Sequence, residues 1–136
     1  SRLMSAPINV QWGYDNRTCG IRVHESDPAN RRLENRVPGV DVNPYLAMAA
    51  TLGAGYLGMV EKRLPSEPMK TSAWDMDFEL PSHMEDSIRR MRECEPVRDV
   101  FGGAFIDAFL AVKELEYATY NRVISSWERE HLLLLV

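Results

Sequence analysis

The chain has 136 residues, 45% of them hydrophobic and 26% charged, with a formal net charge of −4. That size suits one ordinary domain with a modest core, and the composition is that of a globular chain rather than a disordered or fibrous one. The negative balance excludes a general attraction to nucleic acid; two cysteines 75 positions apart, Cys19 and Cys94, exclude a disulfide or zinc framework and fit reduced thiols in a cytoplasmic protein.

The opening, SRLMSAPINV, lacks the apolar core of a secretory leader. It begins on Ser rather than Met, as a segment of something longer would. Residues 7 to 37 read as strands. In INVQW, Ile8, Val10 and Trp12 alternate with Asn9 and Gln11. The turn-prone GYDN follows, then a second extended run, CGIRV, close enough to the first for a hairpin. HESDPAN is a loop by its Ser, Asp, Pro and Asn content, RRLENRV a third strand, and PGVDV another loop.

Asn43 followed by Pro44 marks a helix start, and the helix should run to about Arg63. Its residues 44 to 60, PYLAMAATLGAGYLGMV, carry no charge and reach the lower limit for crossing a bilayer. Gly53, Gly55 and Gly58 each cost roughly 1 kcal/mol against Ala inside a helix, which suits a helix pressed against other backbone. A tightly packed core helix is therefore expected, with no membrane span. Residues 64 to 81 form a Pro-bracketed loop, whose Asp75, Asp77 and Glu79 lack the glycine and distant glutamate of a calcium loop. SHME, residues 82 to 85, is a capping-box pattern ahead of a helix of about 14 residues, with Met84, Ile88 and Met91 as its buried stripe. A further helix from near Gly103 places Phe105, Ala108, Phe109, Val112 and Leu115 on one face. WERE, 127 to 130, reads as an interface or a solvated turn, and the apolar end HLLLLV as a segment that docks on the core or on a neighbouring subunit. The fold class expected is α+β: antiparallel strands over about 7–37, then three or more helices.

The chemistry gathers in residues 17 to 36. Residues 1 to 40 carry six arginines against four carboxylates, a net of +2, which leaves −6 on the rest. Arg17, Arg22, Arg31, Arg32 and Arg36 fall within twenty positions, and Arg32, Glu34 and Arg36 alternate onto one face of a strand. A planar guanidinium fork grips carboxylate and phosphate oxygens. Glu34 can neutralise its neighbours or ligate a hard divalent cation that bridges phosphates. Such rows also arise as solvated ion-pair ladders worth about 0–1 kcal/mol per pair. His24, His83 and His131 are scattered without metal spacing and read as surface or structural groups.

The wording NRTCGIRV, then RRLENRVPGVDVNPYLAMAATLGAGYLGM, resembles the C-terminal part of the glutamine synthetase family. The motifs are N-R-T-x-x-I-R, R-L-E-x-R and P-G-x-D-x-N-P-Y-L followed by an Ala/Gly-rich helix, in order and over essentially all of 1–136. APINVQWGYDNRT and VISSWEREHLLLLV look most like the bacterial type III branch, which includes ligases joining glutamate to amines. The resemblance implies a C-terminal segment of a catalytic domain that uses ATP to phosphorylate the side-chain carboxylate of glutamate, after which ammonia or an amine displaces phosphate. It implies Mg2+ or Mn2+, a cytoplasmic homo-oligomeric ring and sites shared between subunits. By motif match, Glu34 is a metal ligand, Arg36 binds substrate glutamate, Arg32 faces the nucleotide phosphates, Arg17 is catalytic at the transferred phosphoryl group, and Arg17 and Arg22 hold phosphates. The family's other metal ligands would lie outside this chain, so the segment alone is expected to be inactive. The alternative is a non-catalytic assembly module.

Overall fold

The structure is a computed structural model that describes residues 5–77 and 79–133. The chain divides into two compact units, Ser1–Leu80 and Pro81–Val136, and is mixed α and β as expected.

In the first unit, β1 (Trp12–Tyr14), β2 (Ile21–Val23) and β3 (Leu33–Asn35) form one sheet in that order. β2 and β3 are antiparallel, with Arg22 opposite Glu34. β1 and β2 are parallel, Trp12 opposite Ile21, so the expected hairpin does not form. Parallel strands usually need a long crossover, but strands of three residues are only about 10 Å long, and Asp15–Gly20 covers the return. Two features tighten that return. Asp15 adopts a positive φ of 44°, and Asn16 Oδ1 accepts from Thr18 N at 3.0 Å and Thr18 Oγ1 at 2.7 Å, a side-chain turn. Gly20 closes it, since a Cβ there would meet Asn9 O at 2.6 Å.

The strand expected at INVQW is absent apart from Trp12. Its first residues pair with the segment after α1 instead. Ile8 O accepts from Glu79 N at 3.0 Å and Leu80 N at 3.2 Å. Asn9, expected on the wet face, is wholly buried and donates through Nδ2 to Ala73 O at 2.8 Å, while Val10 is 61% exposed. The loop of 64 to 80 is thus a fitted part of this unit, with a 3-10 turn at Ala73–Asp75. Met69 N donates to Trp12 O at 2.8 Å and Ala73 N to Thr18 Oγ1 at 2.8 Å. Phe78 lies outside the described residues.

α1 spans Pro44–Val60, with Asn43 Oδ1 accepting from Tyr45 N and Leu46 N as its composition foretells. Thr51 Oγ1 on α1 accepts from Asn35 Nδ2 at 3.0 Å, tying the helix to β3. Leu33 and Asn35 share an open groove of about 460 Å³ with Met48, Thr51 and Leu52 of α1. The expectation of a tightly packed core helix fails. Among its residues Gly53 alone is buried, and a Cβ at Gly55 or Gly58 would meet nothing within 4 Å. Its apolar residues run right round, so Tyr45, Met48, Leu52 and Met59 stay exposed within this unit. No helix among the described residues is long and apolar enough to cross a membrane.

The second unit comprises α2 (Met84–Glu93), α3 (Glu95–Phe101), α4 (Gly103–Tyr120) and α5 (Ser126–His131). α2 has ten residues rather than about 14, because Pro96 starts a new helix. Its cap is His83 with no side-chain hydrogen bond, so the capping box expected at Ser82 is not formed. That device appears instead at Ser125 and Glu128, which cap α5 reciprocally. Ile88, Ile106 and Leu110 form the core, with Met91, Val97 and Phe101 against it. α4 offers two overlapping apolar stripes, and α2 and α3 cover the one through Ile106 and Leu110. The expected stripe is largely outside: Phe105, Val112 and Leu115 are 40%, 53% and 69% exposed, and Met84 is 43% exposed. Leu132 and Leu133 are exposed, and the rest of the apolar end, 134–136, lies outside the described residues.

Candidate functional site

The site grows from the β2–β3 register. Antiparallel pairing sets Arg22 opposite Glu34 on one face of the sheet. Arg22 Nη1 donates to Glu34 Oε2 at 3.2 Å. Arg36, just past β3, is fixed by its backbone N–H on Gly20 O at 2.8 Å. Its side chain reaches back, Nη1 donating to Glu34 Oε1 at 2.9 Å and Nη2 to Ser5 O at 2.9 Å. Glu34 is thus held by one guanidinium on each oxygen. Burial pushes its carboxyl up, but the hydrogen bonds and charges of Arg36 and then Arg22 outweigh this and leave it below the ordinary 4.5. It stands ionised at neutral pH.

Two further groups join the cluster that the sequence reading passed over. Asp15 Oδ1 accepts from Arg22 Nη2 at 3.0 Å, and Asp15 Oδ2 from the Glu25 N–H at 3.1 Å. The Glu25 N–H chiefly, against some burial and with help from Arg22, lowers the Asp15 carboxyl below its ordinary 3.8. His24 lies between the carboxylates, Nδ1 3.2 Å from Asp15 and Nε2 3.6 Å from Glu34. One signal was legible: His24 stands two positions after Arg22, immediately past β2, where extended backbone would put both on one side. Asp15 gave none, because a positive-φ turn decides where it points.

Arg22, Glu34 and Arg36 are brought together; Arg17 and Arg32 are not. Both are exposed. Arg32 Nη1 makes one long bond to Asn30 O at 3.4 Å. Arg22 Nε and Arg36 Nε are buried with no hydrogen-bond partner among the described residues. Buried donors of that kind call for an acceptor, and both sit on the two cations that flank Glu34.

As a metal centre the cluster is partial. Among the described residues no three His, Cys, Asp or Glu side chains gather as a cation site. A magnesium-like ion takes one or two protein carboxylates and fills its remaining positions with water and phosphate oxygens. Glu34 has the donor chemistry for one such position, and each of its oxygens already accepts from a guanidinium.

Residues 1–132 match the family described as glutamine synthetase, catalytic domain. The chain is 35% identical over 124 residues to a glutamate–isopropylamine ligase of a Pseudomonas species, covering 88% of this chain and 27% of that protein. It is 32% identical over 124 residues to a gamma-glutamylethanolamide synthetase of Streptomyces coelicolor, with 90% and 27% covered. It is 31% identical over 137 residues to a type-1 glutamine synthetase of Dictyostelium discoideum, with 96% and 26% covered. The chain spans about a quarter of the length of these relatives.

Proposed function

The chain belongs to the glutamine synthetase catalytic-domain family, and from that premise we propose that it is the C-terminal segment of an ATP-dependent ligase. The reaction joins ammonia or an amine to the γ-carboxylate of glutamate through γ-glutamyl phosphate. The observation that carries this reading is the pair of half-buried arginines, Arg22 and Arg36, clamped on one ionised carboxylate, each with a buried Nε–H to spare. Phosphoryl transfer gains mostly from positioning and from fixed positive charge around the transferred group. Arginines suit it because they stay protonated throughout.

In this reading Arg22 holds nucleotide or transferred phosphate and Arg36 the substrate glutamate. Arg17 and Arg32, exposed in the chain by itself, approach the phosphates once ATP and the remainder of the domain are present. Glu34 supplies one oxygen to Mg2+ or Mn2+, which when bound screens the phosphate charge. The complete enzyme works as a homo-oligomer in the cytoplasm. The names of its relatives include an isopropylamine ligase, an ethanolamide synthetase and a glutamine synthetase, so both ammonia and amines belong in the acceptor panel.

The test is glutamate- and ATP-dependent phosphate release by the complete protein across a panel of ammonia and primary amines, with Glu34→Ala beside it. Loss of metal-dependent release in the variant is expected. Release near the parental rate would refute the metal role. The second reading is a non-catalytic assembly module, and the exposed apolar residues of α1 favour it. It requires oligomers with no ATP-dependent phosphate release.

A further inference from the structure

We propose that Asp15 and His24 are positioning residues that hold Arg22 and Glu34 in a ring of side chains, Asp15 by hydrogen bond and His24 by close contact, an inference that rests on the ligase reading above. Arg22 bridges the two carboxylates through separate nitrogens, Nη2 to Asp15 Oδ1 at 3.0 Å and Nη1 to Glu34 Oε2 at 3.2 Å. His24 approaches the same two oxygens from its own two nitrogens, at 3.2 and 3.6 Å. Arg22 makes one side of the ring with two hydrogen bonds, and His24 completes it by proximity alone, its Nε2 lying beyond hydrogen-bond reach of Glu34. The second oxygen of each carboxylate is anchored outside it, Asp15 Oδ2 by the Glu25 N–H at 3.1 Å and Glu34 Oε1 by Arg36 Nη1 at 2.9 Å.

Neither carboxylate can turn without losing two partners, and the guanidinium plane is pinned at both ends. The backbone is committed to the same end. Asp15 sits at φ 44°, a left-handed conformation that Asp adopts more readily than most side chains, and its N–H is held on Val23 O at 2.9 Å. A guanidinium already fixed in place loses less freedom when it takes a phosphate oxygen, so the binding and transition-state contacts it makes are stronger. Neither Asp15 nor His24 need touch substrate for this. They act through Arg22 and Glu34.

The experiment is a double-mutant cycle in the complete protein. Asp15→Ala, Asp15→Asn, His24→Ala and His24→Asn are made alone and on an Arg22→Ala background, with kcat and KM for ATP read by phosphate release and the urea midpoint read beside them. Asp15→Ala alone is expected to cost about tenfold in kcat/KM, and nothing further once Arg22 is gone. Asp15→Asn, which still accepts from Arg22, should recover most of the loss. His24→Asn should do the same relative to His24→Ala. Equal losses in both backgrounds, or activity that only follows the urea midpoint, would overturn the proposal. A crystal structure of Asp15→Ala decides it without turnover. Arg22 is expected to have left Glu34 Oε2, and an unmoved pair overturns the ring. A complete protein with no ATP-dependent phosphate release would sink the ligase reading alone.

Discussion

Replacing Arg22 with lysine keeps the charge and removes the fork. The guanidinium serves Glu34 at 3.2 Å and Asp15 at 3.0 Å from different nitrogens. One ammonium can serve only one of them well, so Arg22→Lys releases a carboxylate. Hydrogen bonds to charged groups are worth about 1.5–3 kcal/mol when sheltered, and exposed ion pairs about 0–1. Here the Arg22 side chain is 15% exposed, but its partners Asp15 and Glu34 are 44% and 38% exposed, so water recovers part of the loss. A cost of about 1 kcal/mol follows, roughly a fivefold change in the folding equilibrium. Urea unfolding of the complete protein should show a lower midpoint at unchanged slope. On the proposed ligase reading, in which the fork orients nucleotide phosphate, phosphate release should fall by about tenfold or more in kcat/KM for ATP. Arg32→Lys is the control for stability, since Arg32 is exposed and makes a single long bond. An Arg22→Lys protein with the parental midpoint and parental kinetics would refute the reasoning, since the geometry of the fork would then be irrelevant.

The remaining expectations concern packing and titration. Ile106→Ala, at 0% exposure, should cost about 2–5 kcal/mol by urea unfolding of the chain, and Leu115→Ala, at 69%, within about 0.5 kcal/mol; the reverse order would show that α4 buries its other stripe. Gly20→Ala should destabilise by about 1–3 kcal/mol, since its Cβ meets Asn9 O at 2.6 Å, whereas Gly55→Ala, with nothing within 4 Å, should stabilise by up to about 1 kcal/mol; a loss at Gly55, read by thermal shift, would mean that backbone does lie against α1. The carboxyl of Asp107, held by Arg98 at 2.8 Å, is lowered from 3.8 by that hydrogen bond above all. Its stabilising share is complete above 3.8 and fades as pH falls through the lowered value. Carbon-13 NMR should find its midpoint below 3.8, rising in Arg98→Ala; an unchanged midpoint in the variant would rule Arg98 out as the cause.

Local chemistry was legible and pairing was not. Asn43 and Pro44 announce α1 because the cap is made within three residues. Arg22 and Glu34 could be singled out as candidates from wording, and their meeting follows from strand register. The parallel turn of β1 into β2 depends on one positive φ at Asp15 and on a glycine with no room for a side chain, neither of which alternation of apolar residues reports. Asn9 read as a solvent-facing residue because its partner, Ala73, is 64 positions away. On α4, Phe105 and Ile106 begin two stripes that obey the same periodicity, and only the position of α2 and α3 chooses between them. The capping boxes teach the same point: SHME and SSWE both read Ser-x-x-Glu, and only the second closes.

The hold of residues 66 to 80 on the first strands has a consequence for biosynthesis. Trp12 Nε1 donates to Ser66 O at 2.8 Å, across 54 positions of chain, and Asn9 finds Ala73 across 64. At ribosomal speeds of about 5–20 residues per second, the opening strands wait roughly 3–13 s for those partners to emerge. Through that interval Asn9 and Trp12 lack those partners and stay hydrated, while α1, whose helical backbone bonds are local, can already wind. A chaperone that shields residues 8 to 14 for a few seconds would therefore act on the docking of residues 66 to 80, a step separate from the nearby β2–β3 pairing that brings Arg22 to Glu34.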